Sequence, residues 1–154
     1  MHVLVLRRFA AGDEAAVRRL HDLALEGAGA HAGPGEWDAD LDSIEATYLD
    51  GGGEFLVGFV DDQLVGMGAL RAHSETLAEI TRMRVHPHHQ QRGYGRTILE
   101  ALESRAAESG YRTLHLETTT VQHTARALYT SAGYVEIGRG HDHGFDVIFF
   151  EKRL

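Results

Sequence analysis

One joint constrains the fold more than any other stretch of the chain. Leu77 to Val85, LAEITRMRV, has the content of a strand, and the run from Gly93 to Ser109 sets Ile98, Leu99, Leu102 and Ala106 at helical spacing. The strand hands over to the helix through QQRGYG, Gln90 to Gly95. A helix N-terminus carries unpaired backbone N–H groups and a partial positive charge, which suits an anion and phosphate above all. Gly93 and Gly95 remove side chains, so a ligand can approach the amides closely. Gln90, Arg92 and Arg96 add donors around the same anion.

Two familiar phosphate loops do not fit. A P-loop needs Lys followed by Ser or Thr after its last glycine, where this chain has Arg96-Thr97. A dinucleotide fingerprint needs a third glycine where Ile98 stands, and an early βαβ unit. On these six residues alone, a glycine-rich turn with no ligand is the competing reading.

The surrounding pattern gives the order β-α-α-β-β-β-α-β-α-β-β. Val3 to Arg8 reads as a strand. Gly12-Asp13 opens a helix to about Glu26, with Val17, Leu20 and Leu23 inward. The segment from Gly27 to Trp37 holds four glycines and a proline, so it reads as a loop. A second helix is expected over Asp38 to Leu49. Glu54 to Val60 and Gln63 to Ala72 form a hairpin around Asp61-Asp62. After the central helix come a strand over Thr113 to Thr118 and a helix over His123 to Ala132 that Gly133 closes. Strands over Tyr134 to Gly138 and Phe145 to Lys152 end the chain. This mixed α/β sheet is neither doubly wound nor a barrel.

The 154 residues suit one domain, 1–154. No apolar run approaches the roughly 20 residues of a membrane helix, and the N-terminus lacks a signal-peptide pattern, so the expected location is cytoplasmic. The absence of cysteine excludes disulfides, thiolate metal sites and a cysteine nucleophile. A net charge of −8 argues against nucleic acid as a partner. The deficit is uneven: Arg71 to Arg112, with seven arginines and five glutamates, stands at +2 and the rest at −10. A locally basic segment in an acidic protein suggests an anionic ligand there and a cationic one elsewhere.

RMRVHPHHQQRGYGRTILEALE resembles the acyl-CoA-binding segment of the GNAT N-acetyltransferases, whose Gln/Arg-x-x-Gly-x-Gly/Ala signature falls on Gln90, Gly93 and Gly95. LYTSAGY, Leu128 to Tyr134, matches the family's second hallmark, and the element order agrees. The resemblance covers essentially the whole chain; it is closest from Glu79 to Tyr134 and weakest before Phe55. It implies the GNAT fold, a mixed, mostly antiparallel sheet whose middle strands splay at a bulge. It implies acetyl-CoA as cosubstrate, with its pyrophosphate on the amides of Gln91, Arg92, Gly93, Tyr94, Gly95 and Arg96. The pantetheine arm would pair with backbone at Met83 and Val85 as an added strand does. A backbone N–H near Met83 or Arg84 would serve the thioester oxygen. Gln122 stands where many relatives carry an asparagine that contacts the cofactor.

Transfer to an amine needs a neutral amine, a donor for the thioester oxygen and a proton for the departing thiolate. Tyr129 matches the family's tyrosine aimed at the coenzyme sulfur and is the candidate acid. Glu79 sits fourteen positions before Gly93, like the catalytic glutamate of some family members, and the resemblance makes it the candidate base, with Glu117 or ordered water as alternatives. Strand alternation groups Glu79 with Met83 and Val85, a count that a bulge would scramble. The resemblance implies an acceptor mouth walled by the first two helices, their loop and the last hairpin, which here offer Glu36, Trp37, Asp38, Tyr48, His141 and Asp142, and Trp37 can lie over a cation.

Eleven histidines raise a metal reading. Neither His86 to His89 nor His141 to His143 has the His-Glu-x-x-His spacing that sets two ligands on one helical face, so no metal is expected. The expected activity is transfer of acetyl from acetyl-CoA to a primary amine of a small molecule. A protein N-terminus or lysine as acceptor, a non-catalytic acyl-CoA sensor and a nucleotide-phosphate binder are the alternatives. Relatives that dimerise through sheet edges or closing strands leave room for a homodimer.

Overall fold

The computed structural model describes residues 3–27, 36–142 and 144–154. The strands are β1 (Val5–Arg8), β2 (Glu54–Val60), β3 (Gln63–Ala72), β4 (Leu77–Val85), β5 (Thr113–Thr119), β6 (Val135–Asp142) and β7 (Phe145–Arg153). The helices are α1 (Glu14–Gly27), α2 (Tyr94–Glu108) and α3 (His123–Ser131). The strands form one sheet in the order β1-β2-β3-β4-β5-β7-β6, and every neighbouring pair is antiparallel except β4 and β5.

Local chemistry explains most of these elements. The hairpin between β2 and β3 turns on Asp61 and Asp62 at φ 48° and 66°. Both central residues are left-handed, as a tight two-residue hairpin requires and aspartate tolerates. A short 3₁₀ turn at Ala11–Asp13 leads into α1, where Asp13 accepts from the Ala10 N–H at 2.9 Å and takes both prongs of Arg7 at 2.7 Å. The expected helix over Asp38 to Leu49 is instead a 3₁₀ helix at Glu36–Asp42 followed by a π-helical turn at Glu45–Leu49. The inward stripe of α1 also differs from expectation. Val17, Leu20 and Ala24 are buried, whereas Leu23 is 38% exposed and His21 is fully enclosed.

The sheet separates two apolar layers. On one face α2 buries Ile98, Leu99, Leu102 and Ala106 against Leu70, Ile80 and Leu114. The helix rides close to β3 because Gly68 has no side chain: a Cβ there would meet Met83 Sδ at 2.6 Å and Ile98 Cγ2 at 2.7 Å. On the other face α1 and the 36–49 segment cover Phe55, Val57, Met67 and Ala69. No helix among the described residues is long and apolar enough to cross a membrane.

The centre of the sheet opens. β4 and β5 pair only from Leu77↔Thr113 to Glu79↔His115 and then part. Just beyond the last pair β4 carries a bulge, with Ala69↔Thr81 followed by Met67↔Arg84, so three residues of β4 advance against two of β3. Arg82 takes a left-handed φ of 56° there. One extra residue exchanges the faces. Ala78 and Ile80 pack in the α2 layer and so does Met83, while Arg82 and Arg84 turn toward α1.

Candidate active site

Where β4 leaves β5, two clefts meet. The larger, about 500 Å³, runs along β4 past Gln90, Gly93 and Gly95 to α3. The smaller, about 220 Å³, opens between α1, β4, β5 and the β6–β7 hairpin, with Glu117 and Asp142 on its wall. Met83, Arg84, Gln122, Ala125 and Tyr129 line both.

The floor of the larger cleft is main chain. The first bond of α2 runs from the Thr97 N–H to the Gly93 carbonyl, 3.0 Å, which leaves the Tyr94, Gly95 and Arg96 amides without an intrahelical acceptor. Gly93 caps the helix at φ 81°, and Gln91 is also left-handed at 62°. A Cβ on Gly93 would meet nothing within 4 Å, so the space above it is open. At Gly95 a Cβ would stand 3.3 Å from Leu128, so its smallness serves the packing of α2 on α3. On β4, the His86 N–H bonds to the Val65 carbonyl at 2.7 Å. By alternation, Met83 and Val85 turn their main-chain groups away from β3, into the gap.

The side chains expected around the anion divide. Gln90 and Gln91 line the larger cleft, and Arg96 lines it while bonding Ser131 on α3. Tyr94 stacks on His89 with ring centroids 6.5 Å apart. Arg92 is exposed and lines neither cleft. Gln122 spends its amide oxygen inside the protein, accepting from Thr118 Oγ1, Thr119 N and Thr119 Oγ1 at 3.0 to 3.2 Å. Its NH₂ group is the part left for a ligand.

Tyr129 sits at the meeting point and is 5% exposed. Burial pushes its phenol up to about 12, with the nearby Arg84 charge pulling the other way. The group is therefore neutral and holds its proton at neutral pH.

A charged network beneath the smaller cleft was not legible in the sequence. Arg82 donates to Asp40 through Nε at 2.9 Å and Nη2 at 2.5 Å, and to Asp38 through Nη1 at 3.2 Å. Burial works against the Arg82 charge, but the Asp40 carboxylate outweighs it and raises the pKa. Tyr48 donates to Asp40 at 2.5 Å from inside the core, 1% exposed, so it supports the network and does not wall the acceptor mouth. Its apolar spacing with Leu41 and Ile44 is the signal that marked it as core.

His21 joins α1 to this network. Arg84 Nε donates to His21 Nδ1 at 3.3 Å, and His21 Nε2 faces Asp38 Oδ1 at 3.0 Å. Because Nδ1 accepts, Nε2 carries the proton and donates to Asp38. His21, Asp22 and Asp38 bring ligand-type atoms within 4.8 Å of one another. Both His21 nitrogens are already engaged, and two arginines stand beside them, which disfavours a cation there.

This histidine links folding to pH. Burial and then the Arg84 charge lower its pKa from 6.5 to about 4, against the opposing pull of Asp38; Arg82 lowers it further and Asp22 opposes. The unfolded chain therefore binds the proton more readily than the folded one. The contribution is complete above the unfolded value, declines on acidification and is lost near the folded value, roughly 3 kcal/mol over the window. The urea midpoint is expected to fall from about pH 6.5 downward, and less steeply in His21→Gln. Equal slopes in the two proteins would remove His21 from the account.

The remaining expected residues are scattered. The Glu79 carboxylate lies 2.8 Å from His73 Nε2, in the part of β4 still paired to β5, and lines neither cleft. His141 is exposed, with Nδ1 3.1 Å from Asp146, and also lines neither. The Glu36 and Trp37 side chains, the 28–35 loop and His143 lie outside the described residues.

Comparison with known proteins agrees with this fold. Among curated proteins, N-acetyltransferase 8 of Homo sapiens is 31% identical over 106 residues, 65% of this chain and 47% of that protein. N-acetyltransferase YsnE of Bacillus subtilis is 33% identical over 97 residues, covering 60% and 64%. N-acetylaspartate synthetase of Mus musculus is 36% identical over 105 residues, covering 64% and 34%. The chain thus spans between about a third and about two thirds of the length of these relatives. Among solved structures, a GNAT-family acetyltransferase from Staphylococcus aureus Mu50 superposes with a TM-score of 0.89 at 18% identity, over 98% of this chain and 99% of that one. The yncA protein of Salmonella typhimurium, solved with its cofactor acetyl-CoA, superposes with a TM-score of 0.81 at 21% identity, over 98% and 94%. The sequence itself matches the Acetyltransferase (GNAT) family over residues 16–134, from α1 through α3, and the chain belongs to that family.

Proposed function

We propose that the chain is an N-acetyltransferase that moves acetyl from acetyl-CoA to a primary amine of a small molecule by direct attack. The observation that carries this reading is the meeting of the two clefts at Met83, Arg84 and Tyr129, one cleft lined by free helix amides and the other by ionisable side chains. Acetyl-CoA, when bound, supplies an acetyl group already activated as a thioester. The Tyr94, Gly95 and Arg96 amides receive its pyrophosphate, and left-handed Gln91 and Gly93 shape the turn that presents them. The Met83 and Val85 main chains hold the pantetheine arm as an added strand, and an N–H near Met83 or Arg84 serves the carbonyl oxygen. The yncA likeness, with acetyl-CoA in that protein, supports the assignment.

The residues then divide the proton work. As the amine nitrogen bonds to the acyl carbon and the C–S bond breaks, the sulfur takes the Tyr129 proton. The nitrogen gives up its own proton to Glu117, on the wall of the acceptor cleft, or to water held there. Glu117 is preferred to Glu79, whose carboxylate meets His73 and lines neither cleft.

The test is release of free CoA from acetyl-CoA in the presence of mixed primary amines. Amine-dependent release is expected, and no release with any amine would overturn the reading. In the same assay Glu117→Gln lowers kcat by about 100-fold if Glu117 is the base. A loss of that size in Glu79→Gln instead would return the role to Glu79, and no loss in either would leave it with water.

A further inference from the structure

The most unusual group in the two clefts is the side chain of Arg84. Its Nε is spent on His21 Nδ1 at 3.3 Å, and its Nη1 on the Met83 carbonyl at 2.8 Å. A guanidinium has five N–H donors, so most of its donor edge is uncommitted. Among the described residues no carboxylate stands within ion-pair distance of it. Its neighbour Arg82, by contrast, is paired with Asp40 and Asp38. Burial, and then the Arg82 charge, pull the Arg84 pKa down to about 10, so it remains a cation at neutral pH. Asp38 and Asp40 offset part of this through space, but neither carboxylate bonds Arg84, and a partly buried cation facing a like charge is costly unless a ligand completes it.

The position of Arg84 says which ligand. It lines both clefts, as Tyr129 does, and stands close enough for its charge to act on the Tyr129 phenol. An anion on Arg84 therefore lies beside the nitrogen that reacts in front of Tyr129. His21 fixes the aim: its Nδ1 takes the Nε–H, and its Nε2–H is held by Asp38. The geometry points to an acceptor whose amine and carboxylate share one carbon, an α-amino acid, with its carboxylate on the outer edge of Arg84. This rests on the acetyl-transfer reading for the reaction, but the carboxylate site itself can be tested without turnover. Transfer then forms the amide N–C bond on the α-nitrogen and breaks the thioester C–S bond. The α-carboxylate stays unchanged on Arg84, and the displaced amine proton leaves by Glu117 or water.

The standard L-α-amino acids and their α-carboxamides would be titrated calorimetrically into the protein saturated with free CoA. CoA release from acetyl-CoA would be followed with the same compounds. At least one amino acid is expected to bind about 100-fold more tightly than its carboxamide, the size of a lost enclosed charge pair. The acid-to-amide ratio should collapse toward one in Arg84→Gln. His21→Gln, which only loosens the aim of Arg84, should narrow the ratio through KM more than through kcat. Equal binding of acid and amide by the wild-type protein would overturn the carboxylate site, and that comparison needs no variant to fold. Selective binding of an amino acid without CoA release would keep the carboxylate site and overturn acetyl transfer. CoA release with plain amines as fast as with amino acids would do the reverse.

Discussion

Tyr129→Phe is expected to lower kcat by about 100-fold or more and to leave the KM for acetyl-CoA within about twofold. The ring is fixed by packing that phenylalanine keeps. It meets Tyr134 edge-on at 5.9 Å and tilts over Phe150 at 6.2 Å. The hydroxyl makes no hydrogen bond to a described residue, so its removal orphans no partner and should cost the fold little. What disappears is a neutral proton donor, its pKa pushed up to about 12 by burial, at the wall that both clefts share. Steady-state kinetics with saturating amine would measure the loss. An unchanged kcat would mean that water protonates the sulfur.

Gly93→Val is expected to erase the stabilisation that acetyl-CoA gives the wild-type protein. At a concentration about 100 times Kd, that stabilisation is about 2.7 kcal/mol, or about 5–10 °C in Tm for a chain of this size. A side chain at φ 81° stands in open space above the free amides, where the pyrophosphate would lie. The left-handed backbone adds a strain of about 1–2 kcal/mol. Gly110→Val separates the two effects. Gly110 has φ 89° and nothing within 4 Å of its Cβ, but lies at the far end of α2 and lines neither cleft. It should lower Tm by a similar amount and keep the full acetyl-CoA shift. If Gly93→Val also keeps the shift, the helix N-terminus is not the phosphate cradle.

The α2 N-terminus was legible in the sequence because its signal is local, whereas Tyr129 was singled out only by the family resemblance. Glycines before a helical repeat mark an amide-lined N-terminus, and the 3.6-residue spacing of Ile98, Leu99, Leu102 and Ala106 fixes which side of that helix is covered. The hairpin, the central strand and α3 follow from equally short-range patterns. The alternation count used for Glu79 does not hold past the bulge. Counting alternate residues along β4 put Glu79 with Met83 and Val85, and no glycine or proline warned that Arg82 would take a left-handed φ of 56° and break the count. Tyr48 was read as a cleft wall because it falls on the expected second helix, which walls the acceptor mouth in the family, although its spacing with Leu41 and Ile44 marked it as core. The network of His21, Asp38, Asp40, Arg82 and Arg84 joins three separate segments and exists only once α1 lies across β4. No local pattern in sequence announces such a meeting.

The bulge also sets how this chain tolerates change. One supernumerary residue keeps the two sides of β4 in phase with unlike surroundings, apolar under α2 and ionic under α1. Substituting Arg82 would alter a contact. Deleting it would iron out the bulge: Thr81 would run straight into Met83, and alternation would still set Met83 under α2 and Arg84 on the opposite face, while the contacts to Asp38 and Asp40 would be lost. The extra position and its side chain therefore act together: residue 82 makes the bulge and closes the ionic network, and its loss would flatten the strand without turning its neighbours over.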